Sequence, residues 1–240
     1  MLRSRYWQFV LSFIAFLKHV LVKRWRSLLV LLLGIFLPLQ LFGELAEEVW
    51  ETEGGFPWDV PILLAIRSTA SPQLDAVAVV LTKLGAFWGM VPAAVVVSFL
   101  LLRQRHWRSL TYWLTTLLGS VAINRTAKLL LHRVRPHLWE SPAPEFDYGF
   151  PSGHAMASMT LVVALVILMW GHRRCGWIVG VGGLFVLVIG WTRLYLGVHY
   201  PSDILAGWAA SLAWAIGVSL VIRPHWVQRT PPPDPARSPY

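Results

Sequence analysis

The chain is poor in cysteine and poor in charge. One cysteine, Cys175, occurs in 240 residues. An intrachain disulfide and a cysteine metal cluster are therefore excluded, and the thiol says nothing about redox compartment. Charged residues make up 14% of the chain, well short of the roughly 25% of soluble domains. Acids are the scarcer sign, at 12 Asp and Glu against 21 Lys and Arg. No long internal repeat is present, which argues against a solenoid.

What is there instead is apolar. Hydrophobic residues are 56% of the chain, and several runs reach the ~20 residues that cross a bilayer as helix. This composition predicts an all-α polytopic membrane protein. A soluble helical protein with unusually apolar helices is the rival, and such runs disfavour it. The pattern predicts a six-transmembrane-helix bundle, with spans at 28–46, 87–103, 109–132, 153–170, 175–193 and 203–222. Residues 6–17 are too short to span and are followed by Lys18, Lys23, Arg24 and Arg26, so they read as an interfacial helix. A cleaved signal peptide would want a small-residue site after them, and none follows. Residues 61–84 carry Arg67, Asp75 and Lys83 among apolar neighbours and read as short interfacial helices. The expected organisation is an N-terminal interfacial helix (1–26), a membrane domain (27–225) and a disordered proline-rich tail (226–240). Gly176 and Gly180, one helical turn apart, predict close packing within the bundle.

Six spans place both termini on one side. That side carries 14 of the 21 basic residues, and the opposite side seven. The positive-inside rule then predicts cytoplasmic termini in a plasma membrane. The basic excess is thus a topology signal. Its residues are scattered over short segments, so no nucleic-acid partner is expected. Tryptophans near span ends, such as Trp50, Trp88 and Trp170, read as interfacial anchors.

Three stretches carry chemistry. In KLLLHRVRP (128–136), Lys128 and Arg135 lie seven apart and share a face if the helix persists, with Pro136 disfavouring helix at Arg135. Cations that snorkel at a span end would read the same way. In GFPSGHAMAS (149–158), Ser152 can cap the fourth span, whose free N–H groups attract an anion. Gly153 would let a ligand approach the backbone, and His154 stands at that mouth. A plain capping turn explains Ser152 and Gly153 equally well. In RLYLGVHYPSD (193–203), His199 and Asp203 are four apart, so a carboxylate can orient one imidazole nitrogen and leave the other free. An Asp that merely caps the helix is the alternative. The six-span topology carries all three stretches to the same face, opposite the termini. Three cations, a helix N-terminus and two histidines together suit phosphoryl transfer.

Lys128-x6-Arg135-Pro136, Pro151-Ser152-Gly153-His154 and Arg193-x5-His199-x3-Asp203 resemble, in order and position, the three motifs of the type 2 phosphatidic acid phosphatase family, related to the vanadium haloperoxidases. The resemblance covers about residues 60–220. It implies a six-helix membrane fold and hydrolysis of lipid phosphates or diphosphates without metal or other cofactor. Undecaprenyl diphosphate and phosphatidic acid are substrates of that kind. It implies that His199 is the nucleophile, Asp203 its orienting acid and His154 the proton donor. Lys128, Arg135, Ser152, Gly153 and Arg193 would bind phosphate. Thr192 stands where the family has Ser. Arg133 reads as a possible substrate contact, His132 as a structural or interfacial residue, and Arg125 as a cation with a buried acidic partner. The partner expected is a membrane lipid phosphate; the residues fix no oligomeric state. A phosphotransferase with an acceptor other than water would use the same site. A haloperoxidase would be soluble, and a non-catalytic transporter would spread its ionisable residues through the membrane.

Overall fold

A computed structural model describes residues 2–52 and 55–224. Among these the regular structure is helical, without strands. Helix α1 (Leu2–Leu31) passes through a π turn (Leu32–Phe36) into α2 (Leu37–Thr52) without a break. The separate interfacial helix and first span expected at 6–17 and 28–46 are thus one continuous helix. Helix propensity is uninterrupted across Lys18–Arg26, because Lys and Arg are good helix formers. The π turn precedes Pro38, which has no N–H to give to the turn before it. Next come α3 (Asp59–Arg67) and α4 (Pro72–Leu84), the two short helices expected at 61–84. Ser71 caps α4, and Pro72 opens it. The remaining helices are α5 (Phe87–Arg103), α6 (Trp107–Leu131), α7 (Gly153–Leu168), α8 (Cys175–Tyr195) and α9 (Pro201–Ile222). The proline-rich tail lies outside the described residues.

Four helical segments are long and apolar enough to cross a membrane: Val22–Thr52, Pro72–Arg103, Cys175–Tyr195 and Pro201–Ile222. Helix α7 is apolar but shorter. Helix α6, with 25 residues and ~38 Å of length, is long enough but carries polar groups. Several of those groups turn inward to partners. Ser120 shares a hydrogen bond with Thr160 of α7 at 2.8 Å, and the Asn124 amide donates to the Pro151 carbonyl at 2.9 Å. Outward surfaces keep apolar residues such as Val95, Phe99, Leu118 and Val181 exposed, as a lipid-facing surface does.

Helix α7 packs most extensively on α9, then on α8. The approach is close because Gly207 faces the start of α7. A Cβ there would sit 3.1 Å from the Ser152 carbonyl oxygen and 3.2 Å from the Ala155 methyl. At the other end, Leu101, Tyr112, Trp113, Leu161, Ala164, Leu168 and Val218 form an apolar core. Helices α3, α4 and α8 are joined by a polar knot, in which Asp75 accepts from Tyr195 at 2.7 Å and pairs with Arg67 at 3.3 Å. Gly176 and Gly180 are not packing sites within the bundle. Both are exposed, and neither has a neighbour within 4 Å of the place a Cβ would take.

Candidate active site

The first stretch departs from a continuous helix. Helix α6 ends at Leu131, where His132 takes a left-handed conformation (φ 47°) and its N–H donates to the Lys128 carbonyl. The chain then runs extended. Successive side chains point to opposite sides, so Arg133 and Arg135 are buried while Val134 is 63% exposed. Lys128 and Arg135 therefore do not meet as helical neighbours. They meet through Asp147, which accepts from Lys128 Nζ at 2.6 Å and pairs with the Arg135 guanidinium. His132 has a structural place, its ring edge-on to Tyr148 at 4.6 Å. Arg125 is exposed, not buried against an acid as expected, because it lies on the outward face of α6.

Ser152 does cap α7: its hydroxyl accepts from the Ala155 N–H at 3.4 Å, and its own N–H donates to the Asp203 carbonyl at 3.1 Å. The turn before it is held by Asn124 of α6, whose amide donates to the Pro151 carbonyl at 2.9 Å. Gly153 fits against that same Asn124, since a Cβ would approach its Oδ1 to 3.3 Å. His154 follows in the first turn, its side chain 18% exposed.

Pro201 opens α9, and Asp203 caps its start by accepting from the Tyr200 N–H at 2.8 Å. The same oxygen faces His199 Nδ1 at 3.2 Å. His199 Nε2 lies 2.9 Å from Arg135 Nη1. A guanidinium can only donate, so Nε2 is an acceptor and the imidazole proton sits on Nδ1, toward Asp203. This is the neutral tautomer with its lone pair aimed into the cationic pocket. Burial, then the charges of Arg135 and Arg193, push the His199 imidazole well below its usual range. Arg193 reaches the pocket from the end of α8, fixed at 2.7 Å to Thr82 of α4. Thr192 takes no part: its hydroxyl bonds back to the Ile189 carbonyl at 2.7 Å.

At the centre stands a carboxylate that the motifs do not contain. Glu145 pairs with Arg193 and with Arg135 (2.7 Å), and lies 3.8 Å from His154 Nδ1 and 3.9 Å from His199 Nε2. Burial opposes its ionisation, but Arg193 and Arg135 outweigh it and hold the acid at about 2. Burial likewise opposes ionisation of Asp147, which Lys128 and Arg135 hold at about 2. Phe146 between them is 97% exposed. The signal for this in sequence is two acids alternating with an aromatic in a loop, a pattern that puts both on one side of extended chain. Three cations and two carboxylates leave one net positive charge, and the Glu145 carboxylate occupies a position bracketed by both histidines. An anion of that size bound there lies within reach of both imidazoles together.

Arg133 is not in this pocket. It lies behind the His199–Asp203 pair, bonded to Asp203, Ser202 and Asp59. A substrate contact is therefore replaced by a buried ion-pair role. Asp59 was not legible as a site residue; its one signal is an acid within the apolar run around α3.

The chain is similar to several known proteins. The sequence profile of the PAP2 superfamily matches residues 109–226, which hold all three stretches. The undecaprenyl-diphosphatase of Sulfolobus acidocaldarius is 25% identical over 183 residues, covering 74% of this chain and 83% of that protein. The lipid A 4'-phosphatase of Bacteroides thetaiotaomicron is 31% identical over 167 residues, covering 62% and 70%. The crystal structure of a transmembrane PAP2-type phosphatidylglycerolphosphate phosphatase from Bacillus subtilis superposes with a TM-score of 0.68 at 25% identity, covering 78% of this chain and 96% of that one. Fold, motif order and the convergence of the three stretches at one end of a membrane bundle together make this chain a member of the PAP2 superfamily.

Proposed function

We propose that this protein is an integral membrane phosphatase that hydrolyses lipid phosphate or diphosphate esters through a phosphohistidine on His199. The observation that carries the reading is the anion position at the bundle end, ringed by Arg135, Arg193, His154 and His199 and held by Glu145. Apolar Leu129, Leu130 and Val134, next in sequence to Lys128 and Arg135, are exposed, which suits a lipid tail that stays in the bilayer while its head group enters. The similar proteins named for undecaprenyl diphosphate, lipid A and phosphatidylglycerolphosphate all act on such amphiphiles. A polyprenyl diphosphate is the first substrate to test.

In this reading His199 Nε2 forms a bond to phosphorus as the bond to the leaving oxygen breaks. His154 gives that oxygen its proton. Water, deprotonated by His154, then breaks the P–N bond and releases phosphate. Arg135, Arg193 and Lys128 balance the charge on the transferring group, which is the role a metal ion plays elsewhere. Among the described residues, no group of three His, Cys, Asp or Glu side chains is arranged to hold a metal. The test is phosphate release by purified protein from a panel of lipid phosphates and diphosphates. Activity is expected to persist in excess EDTA and to be inhibited by micromolar vanadate. Loss in EDTA restored only by Mg²⁺, or phosphoryl transfer to an acceptor without phosphate release, contradicts it.

Substrate must displace Glu145. The fraction of time the carboxylate spends in the pocket lowers the apparent affinity by that same fraction. Glu145→Gln, which keeps the shape and loses the charge, is expected to lower KM and the vanadate inhibition constant by about tenfold. Unchanged or weaker binding of both means Glu145 does not compete.

We read the site as facing outward, because six spans divide Lys and Arg 14 to 7 in favour of the terminal side. On a Cys175→Ser background, a membrane-impermeant thiol reagent on intact cells is expected to label Phe146→Cys and not Arg173→Cys. Labelling of the 173 position alone inverts the topology.

A further inference from the structure

We propose that Asp59, acting through Arg133, is a positioning residue that sets the charge and orientation of Asp203 and so of His199. The inference rests on the reading of His199 as nucleophile.

Four buried side chains make one unit behind the imidazole. Arg133 Nη1 donates to Asp203 Oδ1 at 2.5 Å and to the Ser202 hydroxyl at 2.7 Å. Its Nη2 donates to Asp59 Oδ2 at 2.7 Å. Asp59 also accepts from the Ser202 N–H at 3.0 Å and the Ser202 hydroxyl at 2.6 Å. The guanidinium lies over the Tyr200 ring at 4.4 Å. Asp59, Ser202 and Asp203 are 0% exposed, and Arg133 is 4% exposed.

The charge count gives this unit a function beyond tying α3 to α9. Asp203 and Arg133 alone cancel. His199 would then face a neutral pair whose carboxylate is polarised away from it. Asp59 adds a second negative charge, so the unit keeps one net negative charge against Nδ1. The imidazole becomes cationic when Nε2 bonds phosphorus, and a net negative neighbour stabilises that change most in a dry interior. Asp203 also reaches the imidazole through only one oxygen. Its other oxygen is clamped by Arg133, which fixes the carboxylate plane.

The test is a mutant cycle on the full chain, purified in detergent, with folding checked by thermal melting. Asp59→Asn keeps the shape and removes the charge. It is expected to lower kcat about 10- to 100-fold with KM changed less than about twofold. On an Asp203→Asn background the same change is expected to cost less than about twofold, because the charge has no carboxylate left to act through. Adding Arg133→Met to Asp59→Asn removes the cation as well and leaves Asp203 as the one charge. That double variant is expected to recover kcat at least about fivefold over Asp59→Asn. A purely structural link predicts equal losses in both backgrounds and no recovery, and either result overturns the proposal. Should Asp59→Asn alone not fold, the double variant carries the test: kcat within about tenfold of wild type supports it, and a loss beyond about a hundredfold in folded protein overturns it. His199→Ala runs alongside. Activity in that variant sinks the nucleophile reading itself, whereas an inactive His199→Ala with a fully active Asp59→Asn sinks only the role of Asp59.

Discussion

His199→Ala is expected to lower turnover by about 10⁴-fold or more while the protein stays folded. The imidazole is fully buried, yet its contacts are polar: Asp203 on one nitrogen and Arg135 on the other. Its loss removes the proposed nucleophile and leaves the apolar packing of α7 on α9 intact. The remaining cations still bind phosphate, so vanadate affinity should fall far less than kcat. The same environment fixes a pH dependence. In the proposed mechanism neutral imidazole attacks, and burial with Arg135 and Arg193 pushes its protonation below the ordinary 6.5. The active form thus persists as pH falls through 6.5. The acid limb of kcat/KM should lie below that value, as a property of the coupled site. Near wild-type turnover in a folded His199→Ala, or an acid limb above the ordinary imidazole value, contradicts the assignment.

His154→Ala should be costly in proportion to how poor the leaving group is. Proton donation is worth about 10²–10⁴-fold when an alkoxide or lipid phosphate must depart. A nitrophenolate needs no proton, so the loss on an activated aryl phosphate should be within about tenfold. His154 is positioned for this by the capped start of α7, with its ring facing the anion position at Glu145. Equal losses on both substrates would mean that His154 binds or packs and does not donate.

Most of what positions the site was legible because it is local. Ser152 and Pro201 are strong helix-start signals, and α7 and α9 begin beside them. His199 and Asp203 sit one turn apart, and their contact follows from that spacing. The rest depends on pairings between distant segments. Arg133 and Arg135 look alike in sequence, but an extended chain sends them to opposite sides of His199. One joins the pocket and the other joins Asp59, a residue of α3 for which no local pattern predicts a partner on α9. Glu145 and Asp147 carry no distinctive sequence signature for the same reason: a loop acid is ordinary until the fold brings three cations to it. The end of α6 at Leu131 and the unbroken course of residues 2–52 follow from backbone geometry that charge patterning does not encode.

Rapid acid-free quench of the purified protein with a ³²P-labelled lipid phosphate tests whether His199 carries the phosphoryl group. A covalent phosphoryl group is expected that is acid-labile and base-stable, that forms in EDTA, that maps to the peptide containing His199 and that is absent from His199→Ala. Turnover with no phosphoprotein at any quench time, or label on another residue, contradicts it.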